Sequence, residues 1–287
     1  MGSIRLLNIE VDNLSMSELL KQLNRGVVFT PNVDHLVRLQ KDRDFFLAYQ
    51  SANYRTCDSK ILYYVSRLLG TPICEKVSGS DLFPEFYRYH RHNPSVKIFL
   101  LGAAEGVAAE AQKRINASVG REIVVGAHSP SYGFEKDEAE CQRLIDIVNQ
   151  SDAKVLAVGV GSPKQEKFIY KYRDQFEKVE LFLAIGATID FEAGNINRAP
   201  KWISELGLEW LYRLLSEPKR LWKRYLIEGP TFFWYVLLQF LNLYREPEFA
   251  LEEPVTGSEL PTPDVELAAS NSEEHASSSM NRDRLLI

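Results

Sequence analysis

Asp58 is the residue whose type and position best suit acid–base chemistry. It follows a short apolar run, residues 54–57, and precedes Ser59 and a helix-forming stretch that starts at Lys60. A carboxylate in a loop beside a ligand cleft is a candidate general base. An Asp or Ser just before a helix is also a common N-cap, in which the side chain accepts backbone N–H groups. The sequence leaves both interpretations of Asp58 open.

Thr30 and Asn32 hold a similar place, at the end of the apolar run 26–30 and before another helical stretch. One interpretation is a turn with a helix cap, because Pro31 fixes φ and an Asn side chain bonds nearby backbone groups. The other interpretation is that the Thr and Asn side chains face a ligand. Both remain possible from the sequence.

Residues 159–166, Gly-Val-Gly-Ser-Pro-Lys-Gln-Glu, follow an apolar run and open a helix. Glycines such as Gly161 let a backbone approach a ligand, and a helix N-terminus presents N–H groups to an anion. The run lacks the Rossmann Gly-x-Gly-x-x-Gly pattern and the Walker Gly-Lys-Ser/Thr ending. It predicts a phosphate or nucleotide site of moderate specificity. Residues 102–106 are a weaker example, for which a plain tight turn is equally compatible.

Residues 219–224 contain four basic side chains in six, with Trp222 among them, and residues 232–238 are rich in aromatic and aliphatic side chains. A solvated basic helix face is one interpretation. Basic side chains interleaved with aromatics also suit an anionic membrane surface, and the second run could equally be a core or oligomer helix. Nucleic acid is a poor candidate partner, because the rest of the chain before residue 246 is only mildly basic.

The elements that must position these loops alternate between strand and helix. Alternation at this spacing predicts an α/β fold, with a Rossmann-like, mostly parallel sheet and helices on both faces. Ligands of such sheets bind at the carboxyl ends of the strands. The predicted strands cover residues 26–30, 54–57, 96–101, 122–125, 154–158 and 179–185, and the predicted helices include 34–53, 60–69 and 104–117.

The chain divides into three parts by composition. Residues 1–199 are predicted to form the α/β catalytic domain, and residues 200–245 a helical appendage with helices over 202–215 and 219–243. Residues 246–287 carry ten acidic side chains against two basic ones and are predicted to be disordered. The formal net charge of −5 over 287 residues therefore combines a body of +3 with a tail of −8.

Several classes of protein are excluded. Three isolated cysteines and five scattered histidines form neither a disulfide framework nor a zinc-ligand pattern. A signal peptide and an apolar run of the ~20 residues needed to span a bilayer are both lacking. A cytoplasmic protein without a metal or cofactor is the expectation.

Taken together, the motifs resemble the WecG/TagA/CpsF glycosyltransferases, glycosyltransferase family 26. The resemblance runs in order from about residue 5 to residue 245 and does not cover the acidic tail. It is carried by Thr30-Pro31-Asn32, Asp58, Gly70-Thr71-Pro72, Arg198-Ala199-Pro200 and residues 75–82, 159–166, 186–194 and 207–220.

The resemblance implies an inverting transferase that needs no obligatory metal. Its donor would be a UDP-sugar carrying N-acetylmannosamine, its uronic acid, glucose or glucuronic acid. Its acceptor would be a polyprenyl-diphosphate-linked sugar, used in bacterial cell-surface polysaccharide synthesis. Such an enzyme would be cytoplasmic and peripheral on the inner face of the plasma membrane, with an anionic membrane surface as a partner and a homo-oligomer as a possibility.

The resemblance also assigns roles to residues. Asp58 would be the base that deprotonates the acceptor hydroxyl, Thr30 and Asn32 would line the same pocket, and Gln165 would contact the donor. Arg213 and Arg220 would meet diphosphate charge. The remaining predicted substrate-binding residues are Lys76, Gly161, Gly186, Asp190 and Arg224.

Two positions depart from the family pattern. The common Pro-Asp-Gly around the base is Cys57-Asp58-Ser59 here, and a common Arg is Lys76, which keeps the charge without bidentate geometry. Both changes bear on donor preference more than on the type of reaction. The alternative function is a non-catalytic, nucleotide-binding regulatory or scaffold protein of the same pathway. An NAD(P)-dependent oxidoreductase is disfavoured by the missing dinucleotide fingerprint.

Overall fold

A computed structural model of the chain describes residues 2–196, 199–200, 203, 207–216, 218–223, 226–227 and 229–251. For Arg213, Arg220, Leu221 and Lys223 it describes the backbone alone. Residues 1–251 form one compact unit.

The centre of the unit is a six-stranded sheet. Its strands are β3 (Gly26–Phe29), β4 (Tyr54–Arg55), β5 (Ile98–Gly102), β6 (Val124–His128), β7 (Val155–Gly159) and β8 (Leu181–Ala184), in the spatial order β4-β3-β8-β7-β5-β6. Every neighbouring pair is parallel. A separate antiparallel pair joins β1 (Ser3–Leu6) to β2 (Ile9–Asp12). The predicted α/β fold with a mostly parallel sheet is confirmed.

Two layers of helices cover the sheet. Alternate residues of the central strands point to opposite faces, so that Leu156 and Val158 join one hydrophobic cluster while Val155 and Ala157 join the other. The first cluster is completed by α2 (Val33–Arg38), α3 (Arg43–Gln50), α4 (Lys60–Leu68), α7 (Glu138–Gln150) and α8 (Lys164–Tyr172). The second is completed by α1 (Met16–Gln22), α5 (Gly79–Tyr89), α6 (Val107–Val119) and α9 (Thr188–Ala193).

The glycine that ends β5 belongs to the sheet and not to a ligand loop. Gly102 has φ +144°, and a Cβ at this position would lie 2.5 Å from the backbone carbonyl carbon of Gly159 in β7. Only glycine permits this approach of two strands. Strand packing therefore explains the first glycine of the weak motif at residues 102–106.

One predicted helix is two helices in the structure. Residues 34–53 were predicted as a single helix, but α2 ends at Arg38 and α3 begins at Arg43. Asp42 restarts the helix, because its side chain accepts a hydrogen bond from the Phe45 N–H over 3.1 Å. A short carboxylate at an N-cap favours a new helix N-terminus over continuation of the old one.

The region after Pro200 is helical, as predicted, in the residues that the structure describes. The described helices are α10 (Glu209–Ser216), α11 (Pro218–Lys223) and α12 (Gly229–Phe240), and α12 ends three residues before the predicted end at residue 243. Pro230 lies in the first turn of α12, where its missing N–H costs nothing. Phe232 and Val236 are buried and belong to the first hydrophobic cluster, which fixes α12 on the body.

The predicted start of the acidic tail at residue 246 is also corrected. Residues 248–251 form a short helix, α13 (Glu248–Leu251), and the Phe249 ring lies 5.6 Å from that of Phe46 between centroids. Glu246 forms an ion pair with Arg5 over 2.5 Å. An aromatic side chain with a partner on the body orders this stretch despite its acidic composition. The rest of the predicted tail, residues 252–287, lies outside the described residues.

None of the helices in the described part of the chain is long and apolar enough to cross a membrane.

Candidate active site

A cleft of about 470 Å³ opens at the carboxyl ends of β4, β3, β8 and β7, four strands that are consecutive in the sheet. This is the edge at which parallel sheets bind ligands. The cleft brings together seven of the residues predicted from the sequence, although these are spread over more than 150 positions of the chain. They are Thr30, Asn32, Asp58, Lys76, Gly161, Gln165 and Gly186.

Asp58 and Thr30 are paired in the wall of this cleft. Thr30 Oγ1 donates a hydrogen bond to Asp58 Oδ2 over 3.3 Å. The Asp58 N–H also donates to the Pro31 carbonyl oxygen over 3.0 Å. Because β3 and β4 are parallel neighbours, with Phe29 opposite Arg55, their two following loops are held side by side. The carboxylate is thereby fixed in position through both its backbone and its side chain.

Ser59, and not Asp58, caps the following helix. Ser59 Oγ accepts a hydrogen bond from the Leu62 N–H over 3.1 Å at the start of α4. The capping interpretation of Asp58 is therefore wrong, and its carboxylate lines the cleft instead.

Asn32 caps a helix and also lines the cleft, so that its contact with a ligand stays a prediction. Its Oδ1 accepts a hydrogen bond from the His35 N–H over 3.2 Å, which caps α2. The same side chain belongs to the lining of the cleft. Capping fixes the orientation of the amide at the edge of the cleft.

Lys76 lies in the cleft as part of an ion pair. Its Nζ is 2.5 Å from Asp81 Oδ2, and Ser78 Oγ donates to the same oxygen over 2.6 Å. Burial disfavours the charged ammonium, but Asp81, followed by Asp58 and Glu209, outweighs it and raises the pKa of Lys76. The positive charge therefore balances carboxylates of the protein.

Cys57, the other departure from the family pattern, is a buried structural thiol. Its Sγ donates to the Ser59 carbonyl oxygen over 3.4 Å. Burial raises the pKa of Cys57 to about 12, so that it is not a nucleophile at neutral pH. The presence of Cys57 therefore adds no reactive thiol beside Asp58.

Gln165 joins the loops that follow β7 and β8. Its Oε1 accepts a hydrogen bond from the Gly186 N–H over 3.1 Å, and its Nε2 donates to Glu166 Oε1 over 2.8 Å. The preceding Gly161 has φ +84°, a backbone conformation that favours glycine. Gln165 therefore acts first as a brace between two loops of the cleft, which the sequence did not reveal.

Glu166 was missed by sequence reasoning. It is fully buried beside Gln165. Burial raises the pKa of Glu166 to about 7, although the hydrogen bond from Gln165 acts in the opposite direction. A signal was present in the sequence. Glu166 lies three residues before Ile169 on the buried stripe of α8, where an apolar residue is the norm.

Four predicted site residues are not placed in the cleft. Asp190 lies in α9 and is not among the residues that line the cleft within the described part of the chain. Arg213 and Arg220 lie in α10 and α11, but their side chains are outside the described residues, as is the whole of Arg224. The roles of all four stay predictions.

The helices after Pro200 supply an outer wall that the sequence did not predict in detail. Glu209 and Trp210 of α10 and Pro230 and Phe233 of α12 line the cleft. Phe233 is also 52% exposed and belongs to a group of exposed apolar side chains on α12 and at its end, here named the apolar surface. The apolar surface consists of Phe233, Trp234, Leu237, Phe240 and Leu241.

Comparisons with known proteins establish the family of the chain. Residues 4–246 match the model of the glycosyl transferase WecG/TagA/CpsF family. The chain is 31% identical over 226 residues to an N-acetylglucosaminyldiphosphoundecaprenol N-acetyl-beta-D-mannosaminyltransferase of Bacillus subtilis (strain 168), covering 78% of this chain and 84% of that protein. It is 30% identical over 204 residues to a protein of the same name from Bacillus spizizenii, covering 71% and 76%. The chain therefore belongs to the WecG/TagA/CpsF family of glycosyl transferases.

Proposed function

We propose that the chain transfers a sugar from a UDP-sugar to a hydroxyl of a polyprenyl-diphosphate-linked sugar, with Asp58 as general base. The observation that carries this proposal is the placement of the Asp58 carboxylate in the cleft, paired with Thr30 and not used as a helix cap. A general base needs a fixed carboxylate within reach of the proton that it removes.

The reaction is a single displacement. Asp58 takes the proton of the acceptor hydroxyl as its oxygen attacks the anomeric carbon of the donor. The bond from that carbon to the diphosphate breaks on the opposite face, so UDP leaves and the configuration inverts. The protein must therefore supply a base on one side of the sugar and stabilise a developing diphosphate charge on the other.

The leaving-group side is the loop between β7 and α8. Gly161 and Gln165 line the cleft there, and α8 starts at Lys164, so the positive end of the helix dipole lies at this loop. Lys76 is paired with Asp81. Further positive charge for the diphosphate therefore has to come from Arg213, Arg220 and Arg224 of the helical region. That catalysis needs no metal ion stays a prediction.

The acceptor and the first donor to test come from the relatives. Both are named as mannosaminyltransferases acting on N-acetylglucosaminyldiphosphoundecaprenol. By analogy, the acceptor of this chain is an N-acetylglucosamine linked to a polyprenyl diphosphate, and UDP-N-acetylmannosamine comes first among the four donors that the sequence left open. The apolar surface beside the cleft suits an enzyme that works peripherally on the cytoplasmic face of a membrane.

A transfer assay tests the proposal. The full chain is incubated with each of the four UDP-sugars and a lipid-linked N-acetylglucosaminyl diphosphate in vesicles, and the products are identified by mass spectrometry. Wild-type protein is expected to extend the acceptor by one sugar, with the inverted anomer seen by NMR. Asp58→Asn is expected to lose about 100-fold or more of kcat while its melting temperature stays unchanged.

Two outcomes would contradict the proposal. Binding of UDP without transfer from any donor would favour the non-catalytic nucleotide-binding alternative. Turnover by a folded Asp58→Asn protein at the wild-type rate would remove the role of base from Asp58 while leaving the transferase intact.

A further inference from the structure

The Gln165 side chain is held at both ends inside the candidate active site. Its carbonyl oxygen accepts from the Gly186 N–H over 3.1 Å, and its amide nitrogen donates to Glu166 Oε1 over 2.8 Å. Gly186 follows β8 and Gln165 follows β7, and these two strands are neighbours in the sheet. If the amide turned by 180°, its NH2 group would face the Gly186 N–H, and the hydrogen bond to Gly186 would be lost. Because Glu166 accepts a hydrogen bond from the amide nitrogen, it holds the carbonyl oxygen of Gln165 towards Gly186.

Glu166 occupies a position where a carboxyl group is costly. It is fully buried on the side of α8 that faces the first hydrophobic cluster. The polar groups that face it from other elements are Arg38 of α2, Tyr49 of α3 and Ser162 of the preceding loop. A buried carboxyl without a charged partner at close range lowers stability relative to an apolar side chain. Its presence beside a cleft-lining residue points to a functional use.

We propose that Glu166 is a positioning residue for the donor, acting through Gln165 to hold the Gly161 loop and the Gly186 loop in register around the donor diphosphate. The inference rests on the proposed function, because it places the nucleotide donor at these two loops. Glu166 does not itself line the cleft among the described residues, so it acts without touching the substrate.

The neutral acid is the form that suits this task. Its carbonyl oxygen still accepts the Gln165 N–H, whereas the ionised form places a negative charge next to the site of the diphosphate. Like charges close together disfavour ionisation, so donor binding favours the protonated carboxyl. Burial already raises the pKa of Glu166 to about 7. Donor affinity should therefore fall as the pH rises above about 7, and a residue that cannot ionise should abolish that fall.

The experiment compares the wild type with Glu166→Ala, Glu166→Gln and the control Glu138→Gln. Glu138 of α7 accepts hydrogen bonds from Lys171 and Tyr172 at the carboxyl end of α8, whereas Glu166 lies in the first turn of that helix. Donor KM and kcat are measured at saturating acceptor from pH 5.5 to pH 8.5, and the Kd of UDP is measured by calorimetry. The titration of UDP itself cancels in the comparison between wild type and variant.

Glu166→Ala is expected to raise donor KM and the Kd of UDP about 10-fold at pH 6.5, with kcat changed less than about 3-fold. Glu166→Gln should restore most of the lost affinity, because its amide oxygen accepts the Gln165 N–H. The wild-type donor KM should rise several-fold between pH 7 and pH 8.5, and that of Glu166→Gln should stay flat. Glu138→Gln should follow the wild type.

Either of two results would overturn the inference while leaving the transferase in place: donor KM unchanged in Glu166→Ala, or a pH dependence that persists in Glu166→Gln. If Glu166→Ala does not fold, the pH profile of Glu166→Gln decides. If even the wild type transfers no sugar but the UDP affinities follow the expected pattern, the proposed function fails while the role of Glu166 in nucleotide binding is supported.

Discussion

Thr30 Oγ1 donates to Asp58 Oδ2 over 3.3 Å, and this bond joins the ends of two neighbouring parallel strands in the wall of the cleft. Thr30 is buried. Of the two groups on its Cβ, only the hydroxyl can hydrogen-bond the Asp58 carboxylate, because the methyl group is apolar. The hydroxyl therefore has a distinct function, which is to orient one oxygen of the candidate base. A substitution that removes only the hydroxyl isolates this function.

Thr30→Val keeps the shape of the side chain and removes the hydrogen bond to Asp58. We expect kcat to fall about 10-fold, because a base that is free to rotate is aligned with the acceptor hydroxyl less often. Thr30→Ser, which keeps the hydroxyl, should retain kcat within about 3-fold. Initial rates at saturating donor and acceptor check this, and equal rates for the two variants would show that the bond has no part in catalysis.

The apolar surface should bind membranes. Trp234 is 58% exposed on α12 and lies next to Phe233 of the cleft wall, so Trp234→Ser should weaken sedimentation with anionic vesicles several-fold. The control is Tyr89→Ser: Tyr89 is 54% exposed, but it lies at the carboxyl end of α5, away from the apolar surface. An equal loss of sedimentation in both variants would mean that the apolar surface has no special affinity for lipid.

The buried carboxyl of Glu166 should make stability depend on pH. Burial raises the pKa of Glu166 from 4.5 to about 7, so the folded chain keeps this proton after the unfolded chain has lost it. The free energy of unfolding should therefore fall as the pH rises from about 4.5 to about 7. Relative to Glu166→Gln, which cannot ionise, the wild type should lose up to ~3 kcal/mol over that interval.

Urea unfolding at several pH values measures this difference. Glu138 gives a control of opposite sign, because the hydrogen bonds from Lys171 and Tyr172 lower its pKa. The stabilising effect of ionised Glu138 is therefore present above the pKa that this carboxyl has in the unfolded chain. It is lost as the pH falls through the lower pKa of the folded chain. A wild type and Glu166→Gln variant that differ by a constant amount at every pH would refute the shift.

Residues 246–251 should contribute to the stability of the body. A chain that ends at Arg245 loses the ring contact of Phe249 with Phe46 and the ion pair of Glu246 with Arg5, which a chain that ends at Leu251 keeps. We expect the shorter chain to be about 1–3 kcal/mol less stable. Phe249→Ala in the full chain should account for most of that loss, as measured by thermal unfolding.

The sequence predicted the architecture well because apolar runs and helix lengths alternate clearly, and parallel strands bring their following loops to one edge. It could not decide between Asp58 and Ser59 as the cap of α4, because both residue types cap helices equally well. Only the hydrogen bond from Leu62 to Ser59 separates them. The same limit applies to Asp42, whose capping bond divides a stretch that its composition alone favours as one helix.

The partners of the site residues were harder to predict than their location. The ion pair of Lys76 with Asp81 and the brace from Gln165 to Gly186 depend on side-chain orientation, which no motif encodes. Trp210 and Phe233 reach the cleft because α10 and α12 pack across it, a tertiary arrangement without a local signal in the sequence.

The position of β8 has a consequence for how the protein is made. It is the last of the six strands of the described sheet along the chain, yet it lies between β3 and β7. A growing chain on the ribosome can pair β3 with β4, and β5 with both β6 and β7, before the strand that unites these two groups has been synthesised. The loops that carry Asp58 and Gln165 therefore meet only once residue 184 has emerged, and Trp210 and Phe233 close the cleft later still. A chain that stops short of these residues therefore lacks the complete cleft.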